Sequence, residues 1–188
     1  MMLSAQFDVA LVYAASLHRK QVRKGSGIPY VSHLLSVAAL VIEYGGSEDQ
    51  AIAGLLHDAA EDQGGATILG DIEHRFGKAV AAIVADCTDS WTEPKPAWRP
   101  RKEAYVASLA HKPAASLLVS LSDKIHNARA ILADRAVVGE AIWDRFSENR
   151  GEVLWYYRAL SDAFLAALPG PAANELARLV AAMEEPAP

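Results

Sequence analysis

Apolar residues recur at helical spacing through nearly the whole chain. Behind Ser4, which can cap a helix, Phe7, Leu11, Ala14 and Leu17 fall on one side of a segment expected to run to about residue 21. Two glycines and a proline break the period in Arg23-Lys24-Gly25-Ser26-Gly27-Ile28-Pro29-Tyr30, which reads as a loop. The period resumes near Ser32 and stops at Gly45-Gly46, a good helix end. Ser47 followed by Gln50 reads as a capping box, opening a helix that carries His57 and Asp58 and ends near Gln63-Gly64-Gly65. Thr67 is expected to cap a short helix ending at Gly77, and another covers about residues 78–87.

The stretch 90–100 holds three prolines and two tryptophans, too apolar for a solvated linker, and is expected to be an ordered loop lying on the body. Helices are expected over about 101–111, 114–132 and 138–168. Gly170-Pro171 breaks the chain before a last amphipathic helix to about residue 184, with residues 186–188 fraying. No alternating strand pattern, internal repeat or low-complexity tract occurs. The expected architecture is all-α, a single-domain helical bundle over 1–188, its core about 4–168 and its C-terminal helix about 171–184.

Composition narrows this picture. At 188 residues the chain fits one domain that needs no disulfide or structural zinc to fold. Alanine supplies much of the hydrophobic content, which favours helix. A lone Cys87 suits a reducing compartment. Gln6 and Asp8 interrupt the first apolar stretch, unlike a signal peptide, and no run of about 18 apolar residues exists to span a membrane. The expected location is therefore cytoplasmic. A formal net charge of −5 argues against a nucleic-acid binder, which needs a broad basic surface, but a small phosphorylated nucleotide needs only a few local cations. No obligate protein partner is evident.

The chemistry starts at His57-Asp58, followed by Glu61-Asp62. On a helix, Glu61 lies at i+4 from His57 and i+3 from Asp58, so one imidazole and three carboxyl groups share adjoining strips of one face. A solvated acidic helix end is the plain alternative. Against it, acids at a helix C-terminus oppose the macrodipole, and the preceding Ala51-Ile52-Ala53-Gly54-Leu55-Leu56 is almost wholly apolar. Carboxylates on a buried helix must be paired or bound to a cation. His33, at a helix start, reads alone as a capping or core histidine; Asp123, in another apolar helix, reads alone as a partner for Lys124 or Arg129. Together, His33, His57, Asp58 and Asp123 form a mixed nitrogen/oxygen set suited to manganese, iron, cobalt or zinc. Glu61 is the natural group to position or deprotonate a water, and Asn127, one turn after Asp123, can orient a water or substrate oxygen. Arg23-Lys24 is either a solvated loop or a pair of cations for an anionic substrate.

His33, His57-Asp58 and Asp123 reproduce the H…HD…D signature of the HD-domain phosphohydrolase superfamily. Three segments resemble the hydrolase domain of RelA/SpoT-type enzymes, and more closely the stand-alone small alarmone hydrolases. They are Arg23-Lys24…Pro29-Tyr30-Val31-Ser32-His33, Leu55-Leu56-His57-Asp58…Glu61-Asp62 and Leu121-Ser122-Asp123-Lys124-Ile125-His126-Asn127. The resemblance covers about residues 7–160. It implies removal of the 3′-pyrophosphate from guanosine tetra- and pentaphosphate, with manganese as the usual metal. It also implies that Glu61 and Asp62 serve the nucleophilic water, that Asn127 contacts substrate, and that Arg23 and Lys24 line the nucleotide pocket. No synthetic activity is expected. Leu34 and Ser120 stand where the long enzymes often carry proline and lysine, and the loop 91–99 has no matched counterpart. The competing readings are a hydrolase of adenosine alarmones, NADPH or a nucleoside monophosphate; a non-catalytic nucleotide sensor; and an HD nuclease.

Overall fold

The computed structural model describes residues 2–91 and 94–185, and no strand occurs among them beyond one isolated bridge between Val22 and Pro29. The chain runs through α1 (Ala5–Leu17), α2 (Val31–Glu43), α3 (Glu48–Leu56), α4 (Ala59–Gln63), α5 (Gly65–Phe76) and α6 (Lys78–Cys87). It continues through α7 (Trp98–Ser108), a 3-10 turn (Leu109–His111), α8 (Ala114–Val138), a 3-10 segment (Gly139–Arg145), α9 (Arg150–Ala167) and α10 (Pro171–Glu184). The all-α expectation holds. No described helix is long and apolar enough to cross a membrane. The fraying expected at residues 186–188 lies outside the described residues.

Local chemistry explains most boundaries. Ser4 caps α1 through its side chain, and the Ser47–Gln50 box is reciprocal: Ser47 Oγ accepts from Gln50 N at 3.3 Å, and Ser47 N donates to Gln50 Oε1 at 2.8 Å. The expected end of the first helix is four residues late. After Leu17 the backbone turns, and Arg23 N to Ile28 O and Tyr30 N to Gln21 O, at 2.8 and 2.9 Å, close the 22–29 segment into a tight turn. α5 begins at Gly65, ahead of the expected Thr67 cap. α7 starts at Trp98, so the proline-rich stretch ends inside a helix, with Pro100 in the first turn, where its missing N–H is not needed. The helix expected over 138–168 is instead two pieces. Gly139, at φ 63°, ends α8, and Asn149 caps α9 by accepting from Glu152 N at 3.1 Å.

The break that matters most falls at the HD dipeptide. α3 ends at Leu56, and α4 starts at Ala59, so Asp58 stands between two helices and Glu61 and Asp62 lie in the first turn of α4. His57 Nδ1 donates to the Gly54 carbonyl at 2.9 Å, a side-chain donor competing for helical acceptors where α3 stops. Glu61 and Asp62 thus sit at the start of a short helix rather than opposing the C-terminus of a longer one.

Two apolar clusters fill the body. One gathers α1 to α6 around Leu34, Leu55, Leu56 and Ile72; the other gathers α7 to α10 around Leu121, Leu160, Phe164 and Leu176. α8 serves both, through Val119 in the first and Leu121 and Ile125 in the second. α2 packs closely on α3 because Gly54 has no side chain: a Cβ there would sit 3.1 Å from the Ala38 Cα. That contact brings His33 on α2 and His57 after α3 to one place, opposite Asp123 on α8.

Candidate active site

His33, His57, Asp58 and Asp123 converge from α2, the α3–α4 break and α8. His33 and His57 are each 2% exposed or less, so neither reaches bulk water. His33 Nε2 lies 3.5 Å from Asp58 Oδ2 and 3.2 Å from Asp123 Oδ1. His57 Nε2 lies 2.9 Å from Asp58 Oδ2 and 3.7 Å from Asp123 Oδ1. Ligand atoms of His33, His57 and Asp58 all lie within 4.8 Å of one another, a group that can hold a metal ion.

The donor chemistry fits a cation. A carbonyl only accepts, so the bond to Gly54 O puts a proton on His57 Nδ1. Nε2 of that ring is buried and has no hydrogen-bond partner, yet two carboxylates face it. A neutral ring would aim its lone pair at a carboxylate, so the centre requires a positive charge between them. Without a metal, a proton serves: burial opposes a charged His57, but Asp58 and Asp123 outweigh it and hold the ring's pKa well above its usual value. Burial likewise raises Asp58 and Asp123, but their charged neighbours, His57 for the first and Lys124 foremost for the second, bring both well below the usual carboxylate range.

Polar neighbours fix each member. Tyr30 donates its hydroxyl to Asp58 Oδ2 at 2.6 Å. Lys124 Nζ meets Asp123 Oδ2 at 2.6 Å, and Asn127 Nδ2 meets Asp123 Oδ1 at 2.5 Å. Arg23 continues the chain outward, donating to Asn127 Oδ1 at 2.9 Å. His33 Nδ1 lies 2.7 Å from His126 Nδ1. Burial, followed by His33 and Arg23, lowers the His126 pKa to about 4, so this ring is neutral at pH 7. Glu61 and Asp62 bond outside the four-residue cluster. Glu61 accepts from Lys95 Nζ at 2.5 Å and from Asp89 N at 3.0 Å, while Asp62 accepts from Gln21 Nε2 at 2.8 Å.

Beside the cluster opens a cavity of about 420 Å³, the size of a small-ligand site. Tyr30, Lys124 and Asn127, which bond to Asp58 and Asp123, line it, and Arg23 and Lys24 line it from the 22–29 turn. Lys102 and Arg145 bring its cations to five, with Trp98, Phe146, Tyr156 and Tyr157 as aromatic walls. Gly25 leaves room for Arg145, whose side chain would collide with a Cβ there. Asp134, paired with Arg145, and Glu148 also line the cavity, so five cations face two carboxylates; that net positive wall, in a chain of net charge −5, suits a small polyanion.

A protein-family model described as "HD domain" matches residues 10–151, most of the chain. The chain belongs to the HD domain family. His57-Asp58 is the dipeptide of that name, and membership implies a divalent metal, for which His33, His57 and Asp58 are grouped. The human guanosine-3′,5′-bis(diphosphate) 3′-pyrophosphohydrolase MESH1 is 37% identical over 129 residues, covering 67% of this chain and 69% of the human one. Its Xenopus tropicalis counterpart is 38% identical over 130 residues, covering 65% and 70%. A solved structure described as a metazoan ortholog of SpoT that hydrolyses ppGpp superposes with a TM-score of 0.80 at 25% identity over 98% of both chains.

Sequence reasoning found the four converging residues of this HD domain but missed most of what surrounds them. Lys124 was legible only as a neighbour of Asp123, and His126, at i+3 from Asp123, shared its face without an evident role. Lys95, Lys102 and Arg145 carried no local signal, because the stretch before α7, α7 itself and the 3-10 segment after α8 bring them in from far along the chain.

Proposed function

We propose that this chain is a metal-dependent pyrophosphohydrolase that removes the 3′-pyrophosphate of guanosine tetra- and pentaphosphate. The observation that carries this reading is the buried two-imidazole, two-carboxylate centre beside a net-positive cavity, the two joined by Tyr30, Lys124 and Asn127, which line the cavity and bond to Asp58 and Asp123. The MESH1 relatives, named for this reaction and similar over two thirds of their length, support the substrate.

His33, His57, Asp58 and Asp123 would hold the metal, with manganese preferred over iron, cobalt or zinc. A bound divalent cation supplies charge neutralisation at the phosphoryl group and a more acidic water. Arg23, Lys24 and Lys124 bind the phosphates, and Asn127, held between Arg23 and Asp123, orients a substrate oxygen. Glu61 takes the proton from the attacking water, with Asp62 aiding its placement. The water oxygen bonds to the phosphorus attached to the 3′-oxygen, the 3′-O–P bond breaks, and the 3′-oxygen leaves with a proton. The products are pyrophosphate and GDP or GTP. Incubating purified protein with guanosine tetraphosphate and manganese, and separating the products by ion-exchange chromatography, tests this reading. Loss of substrate without pyrophosphate release would contradict it.

A further inference from the structure

His33 and His126 face each other through their Nδ1 atoms at 2.7 Å, with ring centroids 4.8 Å apart. Between two imidazole nitrogens at that distance one must donate and the other accept. The far nitrogen of His33, Nε2, looks at Asp123 Oδ1 and Asp58 Oδ2. His57 is different. Its Nδ1 partner is the Gly54 carbonyl, which can only accept, so the backbone keeps a proton on Nδ1 in every state. The His33 partner is a ring able to play either part.

We propose that His126 is a positioning residue that sets the tautomer of His33, and that the two rings exchange tautomers when a divalent cation enters. The proposal rests on the metal reading above. Before the cation binds, the His126 Nδ1–H donates to His33 Nδ1, and the His33 Nε2–H points at Asp123 and Asp58. With the cation bound, His33 turns a lone pair on Nε2 toward it and carries its proton on Nδ1. That N–H donates to His126 Nδ1, and the His126 proton sits on Nε2. Each ring holds one N–H proton in both states, so the exchange releases and takes up none.

A histidine ligand commonly gives its second N–H to a carboxylate or a carbonyl, which locks one tautomer permanently. A carboxylate at position 126 would add a third negative charge beside Asp58 and Asp123. A neutral ring adds none, and it satisfies His33 Nδ1 whether the centre is empty or filled. The cluster can therefore stay hydrogen-bonded without metal and still present a nitrogen lone pair when metal arrives.

Imidazole-¹⁵N-labelled protein read by NMR, without metal and with zinc as a diamagnetic probe, tests this. With zinc, His33 Nδ1 should be protonated and His126 Nδ1 unprotonated; without it, the assignment should reverse. His126→Phe, which can neither donate nor accept there, should weaken zinc binding about ten- to hundredfold. His126→Gln, whose amide can do both, should recover most of that loss. An unprotonated His33 Nδ1 in the zinc form, or His126→Phe binding zinc as tightly as the parent, would overturn the proposal. The NMR measurement uses the unaltered protein and stands even where the phenylalanine variant does not fold. A parent protein that takes up neither zinc nor manganese would instead remove the metal reading, and this proposal with it.

Discussion

The Tyr30 hydroxyl donates to Asp58 Oδ2 at 2.6 Å, and the same ring stacks on the buried His18 at 5.4 Å between centroids. The stack fixes where the ring stands, and the hydroxyl fixes where one carboxylate oxygen of the HD dipeptide points. Tyr30→Phe keeps the stack and removes only the bond. Divalent-metal affinity, measured by titration, should fall about tenfold, the low end for an outer partner of a metal ligand. Thermal unfolding of the metal-free protein should barely change, and an unchanged metal affinity would show that Asp58 needs no such support.

Glu61 is held by Lys95 and the Asp89 amide, outside the four-residue cluster. Glu61→Gln keeps the shape and removes the base. Turnover should drop about 10²-fold or more, with metal content and nucleotide affinity retained. Equal turnover in the two proteins would exclude Glu61 from handling water.

Lys24 is exposed, lines the cavity and lies one residue beyond Arg23, which reaches Asn127. Lys24→Ala should raise KM several-fold while leaving kcat nearly unchanged, because a phosphate contact of this kind is similar in ground and transition states. The difference from the parent should shrink as salt is added. A fall in kcat at unchanged KM would place Lys24 in the chemical step instead.

Gly54 tests the packing that brings the two histidines together. In an open helix, glycine to alanine gains up to about 1 kcal/mol. Here the new Cβ would stand 3.1 Å from the Ala38 Cα and 3.3 Å from its N, which cannot shift without moving α2. Gly54→Ala should therefore lose about 1–3 kcal/mol in urea unfolding, the usual cost of overpacking, and should also weaken metal binding by displacing His57 from His33. Increased stability would show that α2 and α3 separate easily.

How much of this was legible in the sequence depended on the range of the signal. Ser4, Ser47 with Gln50, and Lys78–Cys87 were readable because capping and helical period are local. The four converging residues were readable because their chemistry is costly to bury without a cation. The α3–α4 break was not, since helical spacing runs straight through His57-Asp58 and only the bond from its ring to Gly54 O marks the interruption. The late start of the expected 138–168 helix was not legible either: α8 runs on to Val138, Gly139 at positive φ ends it, and α9 begins only at Arg150 behind the Asn149 cap. The pairing of Lys95 with Glu61, and the walls supplied by Lys102, Arg145 and Trp98, depend on tertiary packing across long separations.

Metal-dependent attack at the 3′-pyrophosphate is read from the products it leaves. Guanosine tetraphosphate, its adenosine analogue, NADPH and ordinary nucleotides would be incubated in parallel with manganese-loaded protein and with chelated protein. Guanosine tetraphosphate should be converted to GDP and pyrophosphate in equal amounts, chelation should abolish the reaction, and stepwise inorganic phosphate should not appear. Persistence of guanosine tetraphosphate while NADPH or a simple 5′-nucleotide is consumed would contradict attack at the 3′-pyrophosphate.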